Sequence, residues 1–178
     1  SEINKIFEQV LSENQFSKVF ITVDENTKVH CLPKITIEDQ FKKAEIIETK
    51  SGENNKSIRT VEQIWKIFSE KGADRSSLLI NLGGGLLCDL GGFAASTFKR
   101  GMNFINIPTT LLSQVDASAG GKTGFNFMGL KNEIGVFSHP KFVIIDSSFN
   151  RTLDNRNILS GWAEMLKHAL IFDEKDWT

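Results

Sequence analysis

The chain has 178 residues with 21 basic and 22 acidic side chains, and its formal net charge of −1 offers no general attraction for nucleic acid or a membrane surface. Hydrophobic residues make up 40% of the sequence, which is ordinary for a globular protein with one core. A secretory signal pattern and a membrane-length apolar run are both missing from the sequence. We therefore expect a cytoplasmic protein without nucleic-acid or membrane partners.

Hydrophobic periodicity predicts strands that alternate with helices along most of the chain. Short apolar runs predict strands over residues 18–23, 44–49, 77–82, 102–107 and 141–146. Apolar residues at helical spacing predict helices over residues 1–14, 60–71 and 86–98. This alternation indicates an α/β fold, a Rossmann-like parallel sheet flanked by helices.

From residue 158 the pattern is helical up to residue 172, with an apolar stripe that includes Trp162, Met165 and Leu166. The stripe needs a partner, which predicts that an all-α domain begins here and that the chain is truncated. We divide the chain into an α/β domain over residues 1–153 and the beginning of a helical domain over residues 154–178. The alternative is that this helix docks back on the sheet.

Three glycines, Gly83 to Gly85, follow a predicted strand and open a helix, which is where dinucleotide pyrophosphates bind in α/β proteins. The spacing departs from G-x-G-x-x-G because Cys88 occupies the third glycine position, and a purely structural tight turn explains the triplet equally well. Asp89, expected in the first helical turn, either stabilises the helix dipole or holds a sugar hydroxyl or an amide.

Asp116, Lys122, Lys131 and Asn132 lie close together among glycines, where a packed core would have apolar residues. Together they predict a site for an anionic ligand. The sequence Gly121-Lys122-Thr123 is similar to the end of a P-loop. Asp116 stands where that motif needs a glycine, and a carboxylate there would repel phosphate, so we exclude an NTPase.

Glu164 and Lys167 lie one helical turn apart, and an exposed ion pair is the usual explanation for that spacing. Because apolar residues surround them, a competing interpretation is a metal ligand at Glu164 and an acid, base or anion anchor at Lys167. His168 could join a metal site, although it lies about 100° round the helix from Lys167. Glu53 and Lys56, in an early loop, would by themselves be taken for surface charges.

An ordered set of motifs resembles the 3-dehydroquinate synthase family. In chain order the motifs are GGG-x-x-x-D from Gly83, F-x-A-x-x-x-x-RG from Phe93, PTTLL-x-x-VD from Pro108, GGKTG from Gly120, LKN from Leu130 and G-x-AE-x-x-K from Gly161. The resemblance is dense from residue 52 to residue 167 and loose before that. No single motif is decisive, whereas the ordered set is specific. Two departures are LKN in place of the family's GKN, and Asp154 in place of the proline of its TLP.

The resemblance implies a two-domain carbon–oxygen lyase that converts 3-deoxy-D-arabino-heptulosonate 7-phosphate into 3-dehydroquinate and phosphate in the shikimate pathway. It implies catalytic NAD, a divalent metal such as zinc or cobalt, and a homodimer. Because the family's two metal-binding histidines would follow residue 178, we expect this chain alone to be inactive. Another sugar-phosphate cyclase, a metal-dependent alcohol or glycerol dehydrogenase, and a non-catalytic NAD-binding module remain as alternatives.

The resemblance also implies roles for individual residues. NAD contacts are implied for Asp24, Asn26, Glu53, Lys56, Gly84, Gly85, Leu86, Asp89, Thr109, Thr110, Lys122, Lys131, Phe149 and Thr152. Catalytic or substrate-binding roles are implied for Arg100, Asp116, Lys122, Asn132 and Lys167, and metal binding for Glu164. Arg100 would reach the substrate phosphate across a dimer interface.

Overall fold

The computed structural model describes residues 6, 7, 9, 15–35 and 43–172, so the helix predicted over residues 1–14 lies mostly outside the described residues. The strands are β1 (Val19–Asp24), β2 (Glu45–Thr49), β3 (Leu78–Gly83), β4 (Asn103–Pro108), β5 (Lys122–Phe127), β6 (Leu130–Phe137) and β7 (Phe142–Val143). The α-helices are α1 (Glu25–His30), α2 (Leu32–Ile35), α3 (Ile58–Glu70), α4 (Gly85–Thr97) and α5 (Asn155–Phe172). A π-helical turn spans Ser113–Ala117.

Five strands form a parallel sheet in the order β2-β1-β3-β4-β7, and β5 pairs with β6 as a separate antiparallel hairpin. The sheet lies at the centre of the protein, and its middle strand, β3, is buried along its whole length. One face packs against α3 and α4 through Val61, Ile64, Phe68 and Leu90, and the other face carries a second apolar cluster that includes Phe149. This is the predicted parallel sheet flanked by helices.

The sequence predicted the three central strands to within two residues and the 13-residue helices α3 and α4 likewise. The last strand is shorter than predicted, because only Phe142–Val143 of residues 141–146 pairs with β4. Neither α1, α2 nor the β5–β6 hairpin was predicted. The helix α1 begins because the Asp24 carboxylate accepts hydrogen bonds from the backbone N–H groups of Asn26 at 3.0 Å and Thr27 at 2.8 Å.

The strand order places a crevice at one edge of the sheet. The chain leaves β1 for β2 on one side and then returns to place β3 on the other side of β1. Loops therefore diverge beyond the carboxyl ends of β1 and β3, which are Asp24 and Gly83. Ligands of open parallel sheets bind at such a switch point.

Gly91 allows α4 to approach β3 closely, and replacing it with alanine is expected to lower the free energy of unfolding by about 2 kcal/mol. A Cβ at this position would lie 1.8 Å from Oδ1 of Asn81, a fully buried side chain. Urea denaturation measures the change. Gly120→Ala is the matched control, because nothing lies within 4 Å of its added Cβ. An unchanged or raised stability of Gly91→Ala would contradict the close packing.

The last helix, α5, exposes most of its large apolar side chains. Trp162, Leu166 and Ile171 are 53%, 48% and 76% exposed. Its contact with the rest of the chain includes Gly161, where a Cβ would lie 2.5 Å from Leu111 Cβ. Within the described part of the chain, every helix is too short or too polar to cross a bilayer.

Candidate functional site

The glycine triplet forms the turn between β3 and α4, and its neighbours leave little room for a Cβ there. A Cβ at Gly84 would lie 3.2 Å from Thr110 Cγ2, and one at Gly85 would lie 3.2 Å from Ala117 Cβ. No side chain of the described residues caps the N-terminus of α4. Its first-turn N–H groups and the helix dipole are therefore available to an anion.

A cavity of about 580 Å³, which we call the turn cleft, opens at the switch point beside this turn. Eight residues with implied NAD contacts line it: Asp24, Asn26, Gly84, Gly85, Leu86, Thr109, Thr110 and Thr152. They come from the carboxyl ends of β1, β3 and β4 and from the segment before α5. The structure therefore brings together residues that are up to 128 positions apart, from Asp24 to Thr152.

A second cavity, of about 470 Å³, lies between α4, the π-helical turn and the hairpin, and we call it the hairpin cleft. Asp89, Asp116, Lys122 and Asn132 all line it. The sequence predicted that Asp116, Lys122 and Asn132 lie together with Lys131. In the structure Asp89 lines the cavity with these three residues, and Lys131 does not. The hairpin turns at Met128 and Gly129, so that Lys122 pairs with Phe137 at one end of the hairpin while Asn132 lies beside Asn126 nearer the turn, and both residues line the same cavity.

Lys56 is buried, at 5% exposure, so its interpretation as a surface charge is wrong. Its Nζ lies 2.5 Å from Asp89 Oδ2 and also donates to Asn132 Oδ1. This one ammonium group joins the loop after β2, the helix α4 and the hairpin. Asp89 belongs to the second turn of α4, not to the first as predicted, because the helix begins at Gly85.

The electrostatics of Asp89 reflect its position at the wall of the hairpin cleft. Burial raises the pKa of its carboxyl, and the adjacent Lys56 opposes that shift. The negative charges of Glu53 and Asp116 raise the pKa further. Asp89 is therefore a carboxylate whose charge depends on one buried lysine.

Sequence reasoning missed Asn126, which organises the hairpin around Lys56. Its Nδ2 donates to Glu53 Oε1 at 2.8 Å, and its Oδ1 accepts from the backbone N–H of Asn132 at 2.9 Å. Asn132 has a positive φ of 53°, a conformation that asparagine tolerates better than most residues. The available signal was an asparagine between two phenylalanines, Phe125 and Phe127.

Three side chains of the kinds that bind metals gather beside the hairpin cleft, around Asp116 of its lining. Ligand atoms of Asp116, Glu164 and His168 lie within 4.8 Å of one another, and His168 Nε2 is 3.3 Å from Glu164 Oε1. The helix α5 thus brings His168 to the same side as Glu164, despite its offset from Lys167. Lys167 donates to Glu164 Oε1, and this bond is the main cause of its raised pKa. Two carboxylates and an imidazole suit zinc or cobalt.

Seven residues with implied roles line neither the turn cleft nor the hairpin cleft: Glu53, Lys56, Arg100, Lys131, Phe149, Glu164 and Lys167. Arg100 lines a separate polar cleft with Arg75 and Ser138. Lys131 is exposed on β6 and lines neither the turn cleft nor the hairpin cleft. The Phe149 side chain is 1% exposed and belongs to the apolar core, so a ligand in the turn cleft could contact only its backbone.

Fold and clefts together define a parallel α/β protein in which an uncapped helix N-terminus follows a glycine turn at the switch point, with side chains nearby that could hold a metal. Residues 46–160 match the family model described as 3-dehydroquinate synthase N-terminal. The chain therefore belongs to the 3-dehydroquinate synthase family.

Individual relatives agree with this assignment. The 3-dehydroquinate synthase of Parabacteroides distasonis is 52% identical over 170 residues, which cover 96% of this chain and 48% of that protein. The chain spans about half the length of the curated relatives it matches.

Two solved structures of sugar-phosphate cyclases share the fold. A 2-deoxy-scyllo-inosose synthase complexed with carbaglucose-6-phosphate, NAD+ and Co2+ has a TM-score of 0.85 and 26% identity, over 95% of this chain and 48% of that chain. The 2-epi-5-epi-valiolone synthase of Streptomyces hygroscopicus subsp. jinggangensis, with NAD+ and Zn2+ bound, has a TM-score of 0.80 and 28% identity, over 89% of this chain and 44% of that chain.

Proposed function

We propose that this chain is the NAD-binding half of a 3-dehydroquinate synthase, a lyase of the shikimate pathway that releases phosphate from 3-deoxy-D-arabino-heptulosonate 7-phosphate. The observation that carries the proposal is the hairpin cleft, where Asp89, Asp116, Lys122 and Asn132 line one cavity close to the glycine turn. Family membership and 52% identity to a 3-dehydroquinate synthase favour this reaction over those of other cyclases.

The turn cleft is the proposed NAD site. The uncapped N-terminus of α4 suits the pyrophosphate, and Thr109 and Thr110 lie beside it for the nicotinamide half. Asp24 keeps one carboxylate oxygen on α1, which leaves the other for a ribose hydroxyl or an amide. Bound NAD would supply a transient hydride acceptor at this edge of the sheet. Two related cyclases are solved with NAD+, which supports the assignment.

The proposed metal site is centred on Glu164. Its carboxylate lies with Asp116 and His168 in a donor set of two oxygens and one nitrogen, which fits a divalent metal. A bound metal would act as a Lewis acid on the substrate's oxygens. Related cyclases hold Co2+ or Zn2+ in their structures. The resemblance adds two histidines from a following helical domain, and α5 would be its first helix.

The charged side chains of the hairpin cleft would bind the sugar phosphate. Lys122 supplies positive charge, and Asn132 supplies an amide that is already oriented by Lys56. Lys167, bonded to Glu164 beside Asp116, adds a second positive charge from outside the lining of the cleft. Asp116 and Asp89 are the carboxylates available to hold or accept a proton at the substrate's hydroxyl groups. These groups orient the substrate between the metal-ligand cluster and the glycine turn.

A homodimer is the proposed assembly. Arg100 lies in a cleft apart from the other substrate-binding residues, which fits a role in the site of a partner subunit. The hairpin also exposes apolar residues, with Met128 at 87% and Phe137 at 83%. Exposed apolar residues on an edge strand are typical of an interface. The cytoplasmic location inferred from the sequence stays a prediction.

The test is phosphate release from the heptulosonate 7-phosphate by the chain extended to its natural C-terminus, with NAD and zinc. Turnover without net NADH supports the proposal, and the present chain alone is expected to give none. Steady NADH formation from a simple polyol would instead place the protein among the dehydrogenases. Phosphate release with a carbocycle other than 3-dehydroquinate as the product would make it another cyclase.

In the extended chain, Lys122→Ala is expected to lower kcat for phosphate release about a hundredfold, because the hairpin cleft loses the positive charge of a lysine that lines it. The assay above measures the change. Lys66→Ala is the control, since Lys66 is an exposed lysine on α3 that lines neither the hairpin cleft nor the turn cleft. Similar losses from both changes would show a general effect of removing a lysine and reject a specific role for Lys122.

A further inference from the structure

Three polar side chains cross the middle of the parallel sheet in one row. Thr22, Asn81 and Asn106 pair in register on β1, β3 and β4, and each is at most 3% exposed. The Thr22 hydroxyl donates to Asn81 Oδ1 at 2.9 Å, and Asn81 Nδ2 donates to Asn106 Oδ1 at 2.9 Å. We call this row the amide ladder. Burying polar groups is costly unless they are hydrogen-bonded, and the hydrogen bonds within the amide ladder offset this cost.

The last bond of the ladder leaves the sheet. Asn106 Nδ2 donates at 3.0 Å to the backbone carbonyl of Ser118. Ser118 follows the π-helical turn Ser113–Ala117, and its N–H donates to Ser113 O at 3.1 Å. The donors along the ladder all run towards this carbonyl, so each bond polarises the next.

The π-helical turn connects both clefts. It carries Asp116, whose Oδ1 lies 3.9 Å from His168 Nε2. Ala117 packs against Gly85, the first residue of α4. Isolated π-helical turns are rare and often mark functional sites. This turn is fixed on one side by Gly85 and at its end by the Ser118 carbonyl.

We propose that Asn106 is a positioning residue that holds the π-helical turn through Ser118 and so keeps Asp116 close to Glu164 and His168 beside the hairpin cleft. Asn106 lines neither the turn cleft nor the hairpin cleft, so it acts only through the backbone it binds. The kinetic consequence rests on the proposed function, whereas the structural consequence is a property of this chain alone.

Hydrogen exchange followed by mass spectrometry tests the structural part. Asn106→Leu has a similar size but cannot donate to Ser118. It is expected to raise the exchange rate of the amides in residues 113–121 by at least about tenfold, while β3 and β4 stay protected. Asn106→Asp, which keeps the shape and loses the donor when ionised, serves if the leucine variant does not fold.

Thr22→Val is the matched control. It removes the first donor of the amide ladder and leaves the bond between Asn106 and Ser118 in place. In Thr22→Val, the amide exchange rates of residues 113–121 are expected to stay within about twofold of those in the wild-type chain, even if the Tm of the variant is lower. Unchanged exchange in the Asn106 variants, or an equal rise in Thr22→Val, would overturn the proposal.

The kinetic part uses the chain extended to its natural C-terminus. Asn106→Leu is expected to lower kcat for phosphate release about tenfold or more, with the Kd for NAD within about threefold. If Asn106 only stabilised the fold, Asn106→Leu would change both kcat and the Kd for NAD, or neither of them. If the unchanged extended chain releases no phosphate, the proposed function fails, and the exchange experiment still decides the role of Asn106.

Discussion

Replacing Lys56 with methionine is expected to lower the free energy of unfolding by about 4 kcal/mol near neutral pH. The change leaves the largely buried Asp89 carboxylate without its cation and removes the donor to Asn132 Oδ1. Urea denaturation gives the value. Lys66→Met is the matched control, since Lys66 forms an exposed pair with Glu70 at 3.8 Å, and its loss is expected to cost under about 0.5 kcal/mol.

The pH dependence of this variant follows from the pKa of Asp89, which burial raises. A carboxyl whose pKa is higher in the folded protein binds a proton on folding, so its contribution to stability falls as the pH rises between the unfolded and folded pKa values. Without Lys56 the folded pKa is higher still, and this interval extends to higher pH. Lys56→Met should therefore regain stability when the pH is lowered from about 8 to about 5.

A second change on the same pair decides whether the charge of Asp89 is responsible. Adding Asp89→Asn to Lys56→Met removes the unpaired carboxylate and is expected to restore at least half of the lost stability. A double variant as unstable as Lys56→Met would mean that the lysine stabilises the fold by packing or through Asn132, and not by neutralising Asp89.

Glu164→Gln, in the chain extended to its natural C-terminus, is expected to lower kcat/KM by about a thousandfold or more. An amide supplies no negative charge to a divalent metal, so zinc content measured by atomic spectroscopy should fall together with turnover. NAD binding should persist, because the turn cleft is built from other residues. Glu62→Gln, at an exposed position on α3, is the control. A variant that keeps its zinc and most of its turnover would remove Glu164 from the metal site.

The central part of the fold could be predicted from the sequence because its signals are local. Residues 77–82 and 102–107 are apolar runs that end at Gly83 and Pro108, and runs of that kind fit strands buried on both faces. The hairpin β5–β6 carries lysines, asparagines and glycines at positions where strands usually have apolar residues. Its pairing depends on Gly124 and Gly135, where a Cβ at either would lie within 2.4 Å of a backbone oxygen on the facing strand. The need for glycine at these two positions can be recognised only once the two strands are known to pair.

The sequence predicted which residues belong to the candidate site better than it predicted which of them contact one another. Most residues implied at the turn cleft follow strand ends, which a parallel sheet brings together. The role of Lys56 was not predictable in this way, because its partners Asp89 and Asn132 lie 33 and 76 residues away. The amide ladder has the same character, since each asparagine alone is only an unfavourable residue inside a strand.

Gly161 forms a tight contact between the last helix and the segment before the π-helical turn. Its Cα packs directly against Leu111 and Leu112, so a tilt of α5 would turn about this point. Glu164 is three residues away, about 4.5 Å along the axis, and a tilt of about 10° would move it by under about 1 Å. Ile171, ten residues away, would move about three times as far. Rearrangements at the distal end of α5 would thus leave the carboxylate of Glu164 near Asp116.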